Sequence, residues 1–288
     1  QLNMPIHAVS LYATADDHKL PAIVADRHPH TWIEAGDLPQ WIASSDEEVI
    51  VVNGRCISIP PQCLETLDQP ASDGQVVLCG RFSAKRATEL AHSAFRYKST
   101  TACPNYPSLR VIHRPWDIFA HRNAMISEDV ERHYSYLPFV AVDREIEPTL
   151  KIIGSHQVRI ATSAAVDPYV VIDTRQGAVV IEPGAQIGAF SVISGPAVIG
   201  QDTMILSNSL IRPCCSFGPK CKIAGEVRGS IIQGYSNKSH AGYLGDSYLG
   251  EWVNLGADTQ TSNMKNTYNA VKMKHAPTGD MLETGLSF

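Results

Sequence analysis

Residues 181–227 read IEPGAQ IGAFSV ISGPAV IGQDTM ILSNSL IRPCCS FGPKCK IAGEV when cut at every sixth position. One column then holds Ile181, Ile187, Ile193, Ile199, Ile205, Ile211, Phe217 and Ile223. Four places after each stand Ala185, Ser191, Ala197, Thr203, Ser209, Cys215, Cys221 and Val227, none larger than valine. An α-helix repeats its apolar face about every 3.6 residues and a strand about every 2, so neither accounts for a step of six. A parallel β-solenoid does. Each six-residue side turns one aliphatic residue inward and needs a small residue near the tight corner that follows. The spacing predicts a left-handed, hexapeptide-repeat parallel β-helix.

The repeat extends on both sides of this stretch. Ile160, Val166 and Ile172 already keep step, and an insertion at Thr174–Gly177 resets the phase to Ile181. After Ile223 the register breaks through Gly229, Ile231 and Ile232, then returns as Leu249-Gly250 and Leu255-Gly256, with Val253 and Thr259 on the small track. At about 18 residues per coil, residues 158 to 262 supply roughly five to six turns. No recognisable cap closes the end at Thr284–Phe288, and position 1 is Gln, so the chain is expected to be cut short at both ends. Ahead of the solenoid, residues 1–114 read as a mixed α/β domain. Val49–Val52, Asn53-Gly54 and Cys56–Ile59 suggest a hairpin; Val76–Cys79 and Leu109–His113 suggest strands and Ala84–His92 a helix. Residues 115–150 read as a helical linker, with Ile118, Met125, Ile126 and Val130 available to pack before Pro138 and an extended Phe139–Asp143. Residues 151–288 then form the solenoid domain.

Composition narrows the function. A net charge of −5 and a pI near 6.1 give no electrostatic footprint for nucleic acid. No cationic amphipathic helix or long apolar run suggests a membrane, and no secretory leader is evident, so a cytoplasmic protein is expected. Seven cysteines form no C-x-x-C pair or zinc-like cluster, which predicts reduced thiols and no metal site. Cys215 and Cys221 sit on the small track, where a thiol serves as a small apolar group.

The irregular stretch Ser236–Asp246 is where a rigid ladder most readily carries chemistry. It holds His240, read as the one histidine within the coils, between His156 and His275. An imidazole can take a proton from an attacking amine or hydroxyl at neutral pH. Around it stand Tyr243-Leu244-Gly245-Asp246, Val253-Asn254-Leu255-Gly256-Ala257 and Thr261-Ser262-Asn263. These resemble the K-x-x-H-x-x-Y-L-G-D and V-N-I-G-A-G-T blocks, and a further Asn, in the acetyltransferase half of the bifunctional enzymes that make UDP-N-acetylglucosamine. They are closer still to a sugar nucleotidyltransferase-like subfamily, whose G-Y-S-N-K, Y-L-G-D-S-x-L-G-E-W-V-N-L-G-A and T-S-N-x-K-N blocks stand here almost intact. Pro115-Trp116-Asp117 with Asn123 resembles that family's interdomain motif.

The resemblance implies a nucleotidyltransferase-like α/β domain followed by the solenoid, acting on a sugar phosphate or nucleotide sugar as a homotrimer. It implies acetyl transfer from acetyl-CoA to the amino group of a hexosamine 1-phosphate. His240 would match the general base; Tyr243, Asn254 and Asn263 would hold the sugar; Arg212, Arg228 and Lys272 would lie near the phosphate. Asp258 stands where the better-known enzymes have Gly. The N-terminal half departs further. It lacks a G-x-G-T-R phosphate loop, and the family's N-G-D metal turn reads Asn53-Gly54-Arg55, so Mg2+ is expected only if that half is active. Two other readings remain at this point: sugar-1-phosphate nucleotidyl transfer with the solenoid as trimerisation scaffold, or a non-catalytic module that binds nucleotide sugars.

Overall fold

The computed structural model describes residues 37–44, 48–93, 95–97, 106, 108–132, 134, 139–141, 149–261, 266–274 and 279–286. The chain divides into two compact units, 1–115 and 116–288.

In the first unit the strand Val77–Phe82 lies between Val49–Val52 and Ala71–Ser72 in an antiparallel sheet. Neighbours on both sides explain why Val77, Leu78, Cys79 and Phe82 are all buried. The helix Ala84–His92 follows directly. Ser83 caps it by accepting from the Arg86 N–H, and Ala87, Leu90 and Ala91 join Phe82 in the core. The expected hairpin around Asn53-Gly54 does not form. Val49–Val52 pairs with Val77–Phe82, whereas Cys56–Ser58 pairs with Arg110–Val111. The Asn-Gly turn is present, with Asn53 Oδ1 accepting from the Arg55 N–H at 3.1 Å, but it passes the chain from one sheet to another.

The second unit is a parallel β-solenoid of six coils carrying three sheets. Sheet one stacks Lys151–Ile153, Val171–Asp173, Val192–Ser194, Leu210–Ile211, Glu226–Arg228 and Tyr243–Gly245. Sheet two stacks Val158–Ala161, Val179–Ile181, Ala197–Ile199, Cys215–Phe217, Ile231–Gly234 and Tyr248–Glu251, with Phe139–Ala141 antiparallel along its first edge. Sheet three stacks Ala165–Val166, Gln186–Ile187, Met204–Ile205, Lys222–Ile223 and Asn237–Lys238, and Asn254 bridges to Asn237 one coil on. The six-residue column becomes the core: Ile160 lies under Ile181, Val166 under Ile187 and Ile172 under Ile193. The coils begin at Lys151, so His156 falls inside the first coil and His240 is not the sole coil histidine. The reset at Thr174–Gly177 keeps these columns aligned.

The small track has a second role besides fitting the corners. Its hydroxyls accept N–H groups of the next coil: Thr203 from Cys221 at 2.9 Å, Ser236 from Val253 at 2.9 Å, Ser191 from Ser209 at 3.3 Å. Buried corner amides are thereby satisfied where the ladder itself is interrupted. Val227 departs from the expected small track. It pairs with Ile211 and so takes the inward aliphatic position, not the small one.

The helix Asp117–Arg132, expected in a linker, lies within this unit. It sets Ile126 and Val130 against Val180 and Val198, the outward residues of sheet two. No helix among the described residues is long and apolar enough to cross a membrane.

Candidate functional site

His240 sits on the corner Ser239–Gly242, which carries the chain from sheet three (Lys238) to sheet one (Tyr243). The corner two coils below, Leu206–Ser209, also spends four residues. The one between them spends only two, Ala224 and Gly225. This shortening is the register break after Ile223, and it leaves the His240 turn overhanging a recessed step. His240 is exposed there.

The step requires glycine. Gly225 has φ +75°, and a Cβ on it would stand 2.9 Å from the Gly242 carbonyl oxygen and 3.2 Å from Ala241 Cα. Gly225→Ala is therefore expected to lower Tm by several degrees, since the backbone conformation alone costs about 1–2 kcal/mol. A thermal melt of the variant checks this.

Sheet one supplies the wall beside His240. Glu226 and Arg228 flank the inward Val227 and so share the outward face with Arg212 and Tyr243. Tyr243 lies in register with Glu226, and the Arg212 N–H donates to the Val227 carbonyl, which puts Arg212 and Arg228 on adjacent coils about 4.8 Å apart. Arg212 Nε pairs with Glu226 Oε1 at 2.5 Å in an exposed setting. Arg228 is exposed and makes no side-chain hydrogen bond or ion pair with the described residues. On the other side of the corner, Asn254 projects from sheet three beside Asn237. Tyr243 thus follows the His240 corner directly, Arg228 and Arg212 stand further along the same outward face, and Asn254 stands on the outward face of sheet three.

Lys272 is placed elsewhere. It lies in the hairpin Lys272–Lys274/Met281–Glu283 and pairs with Glu283 at 3.2 Å. Asn263 lies outside the described residues; Thr261, two residues before it, donates its N–H to the Tyr243 carbonyl. Asp258 stands one coil above His240, where Asp258 and Thr259 stack on Gly242. Its φ of 55° explains why either Gly or Asp can occupy the place.

Two features escaped the sequence reading. Lys238 is buried, 2% exposed, although it carries a charge. Its position had a signal: Ile232, Lys238 and Leu244 stand six apart, so Lys238 is on the inward track. Second, Arg122 of the helix pairs with Asp246 and donates to the Gly229 carbonyl at 2.8 Å. The thiols near the site are not poised as nucleophiles. Burial pushes Cys215 up to about 12 and also raises Cys214 and Cys221.

In the first unit, Arg55 of the Asn-Gly turn pairs with Asp73 at 2.9 Å. Burial would raise the Asp73 carboxyl, but N–H donors of Val76 and Gln75 together with Arg55 hold it below the usual carboxylate range. Asp73 is already neutralised, and the turn does not fit a hard cation.

Comparison with known proteins agrees with the hexapeptide solenoid. The family described as bacterial transferase hexapeptide (six repeats) matches residues 178–213. Part of this chain is similar to bifunctional protein GlmU. The protein of that name from Synechococcus sp. (strain CC9311) is 32% identical over 127 residues, covering 43% of this chain and 26% of the relative. That from Jannaschia sp. (strain CCS1) is 35% identical over 118 residues, covering 40% and 24%. That from Synechococcus elongatus is 29% identical over 157 residues, covering 49% and 33%. The chain thus spans about a quarter to a third of the length of these relatives.

Proposed function

We propose that the solenoid transfers an acetyl group from acetyl-CoA to the amino group of a hexosamine 1-phosphate, within nucleotide-sugar biosynthesis. The observation that carries this reading is the corner itself: an exposed imidazole over a recessed step, flanked by Tyr243 and Arg228 on one face and Asn254 on the other. Similarity to the hexapeptide transferases and to GlmU proteins supports it. The left-handed winding, a homotrimer formed through the solenoid, a cytoplasmic location and a nucleotidyltransferase-like ancestry for the first unit belong to the same proposal. Nucleotidyl transfer is disfavoured by Arg55.

The amine nitrogen attacks the thioester carbonyl carbon, the C–S bond breaks and coenzyme A leaves as the thiol. His240 accepts the proton from the attacking nitrogen, and a backbone N–H steadies the developing oxyanion. Tyr243, Asn254 and Asn263 hold the sugar. Direct transfer suits a site whose thiols are held protonated. Arg228 grips the phosphate, because a guanidinium can meet two phosphate oxygens at once. Arg212 assists once its contact with Glu226 yields, and Lys272 would have to act from the hairpin.

The test is thiol release on mixing the chain with acetyl-CoA and glucosamine 1-phosphate or galactosamine 1-phosphate. Turnover with either supports the proposal, and none with both rejects it for this chain. Arg228→Ala is expected to raise KM for the sugar phosphate about tenfold and leave kcat within a factor of about two, the mark of lost ground-state binding. An unchanged KM would remove Arg228 from the phosphate site.

A further inference from the structure

Lys238 occupies the place where the three coils below it put Ile187, Ile205 and Ile223. A lysine there is costly by every packing argument. It is 2% exposed, burial lowers its pKa, and among the described residues no carboxylate answers its charge. Its ammonium donates instead to two backbone carbonyls, Ala224 at 2.8 Å and His240 at 3.0 Å. These belong to the two stacked corners at the step. Ala224 returns a bond through its N–H, which donates to the Lys238 carbonyl at 2.7 Å. The contacts explain the departure from isoleucine. A corner two residues short cannot offer its longer neighbour a matching ladder, and an isoleucine has no donor for the carbonyls this leaves.

We infer that Lys238 is a positioning residue, fixing the His240 turn over the recessed step by tying the His240 carbonyl to the Ala224 carbonyl from inside the core. The inference rests on the reading of His240 as the base. A residue kept only to fill the column would be isoleucine or methionine, which bury no charge. Local rules of packing are most often broken where function demands it. Displacing a base by about an ångström can cost up to about 10²-fold in rate.

The experiment compares wild type with Lys238→Met, which keeps the length of the side chain, and Lys238→Ile, which restores the column. Both are expected to melt within a few degrees of wild type, since removing a buried charge offsets the loss of a donor to two carbonyls, to lose about tenfold or more in kcat, and to keep KM for the sugar phosphate within about twofold. Unchanged kcat overturns the inference, and so does a fall in Tm that accounts for the lost activity. The ring signals of His240, assigned by their loss in His240→Ala, provide a readout that needs no turnover. A shift or broadening confined to His240 among the histidines supports the tie; identical spectra in all three proteins overturn it. Should wild type show no thiol release, the proposed activity fails while the spectra still decide the role of Lys238.

Discussion

His240→Ala is expected to lower thiol release by about 10²-fold or more, the share a positioned general base typically supplies. The melting temperature should stay within about a degree, because the side chain is exposed and the fold uses the residue through its carbonyl, which accepts from Lys238. That carbonyl survives the substitution. Loss of rate at constant stability would therefore place the effect in the reaction. KM for the sugar phosphate should move little, since Arg228 and Tyr243 stand on sheet one and are untouched. Equal turnover in both proteins would take His240 out of the mechanism, and attention would pass to Tyr243, another titratable group beside the corner.

The solenoid was legible because its physics is one-dimensional. Each coil meets only the coil above and the coil below, so a step of six in isoleucine survives into the columns Ile181–Ile199–Phe217 and Ile187–Ile205–Ile223. Where the step failed, composition misled. Val227 is small enough for one track and apolar enough for the other; only the two-residue corner at Ala224-Gly225 assigns it. Lys238 was hidden for the opposite reason, being charged on a track searched for apolar residues. In the first unit the Asn53-Gly54 signal is local, and it was overruled by the long-range demand of Val77–Phe82 for a partner on each side. Candidate site residues were proposed through whole blocks of resemblance around His240, Tyr243 and Asn254. Lys272, outside the solenoid's period, had no such frame, and the structure ties it to Glu283. The Arg122–Asp246 pair joins residues 124 positions apart, beyond the reach of any spacing rule.

That pair carries the largest expected stability effect. Asp246→Ala is expected to cost about 3–5 kcal/mol, the range for breaking a buried pair by removing one partner. The side chains are 13% and 6% exposed, so the Arg122 guanidinium would stay in place without its counter-charge. Among the described residues it would keep the Gly229 carbonyl at 2.8 Å, Asn123 Oδ1 at 3.3 Å and the Phe119 ring, 5.6 Å from centroid to Cζ. Asp246 also holds a φ of 41°, which alanine tolerates less well. Asp246→Asn retains an oxygen acceptor and this conformation, so it should lose less than the alanine. The measurement is urea unfolding of both variants, of Arg122→Met and of the double mutant Arg122→Met/Asp246→Ala. Each single change removes one side of the pair, whereas the double change removes both. The double mutant should therefore be more stable than the sum of the singles predicts, by about 1 kcal/mol or more. Strict additivity would show that the two residues stabilise the unit independently. Coupling would show that the helix Asp117–Arg132 is fastened to the coil that carries Tyr243–Gly245, directly after the His240 turn. Loosening that coil would then reach the corner chemistry through the backbone alone, and Asp246→Ala should lose activity at temperatures well below its melt.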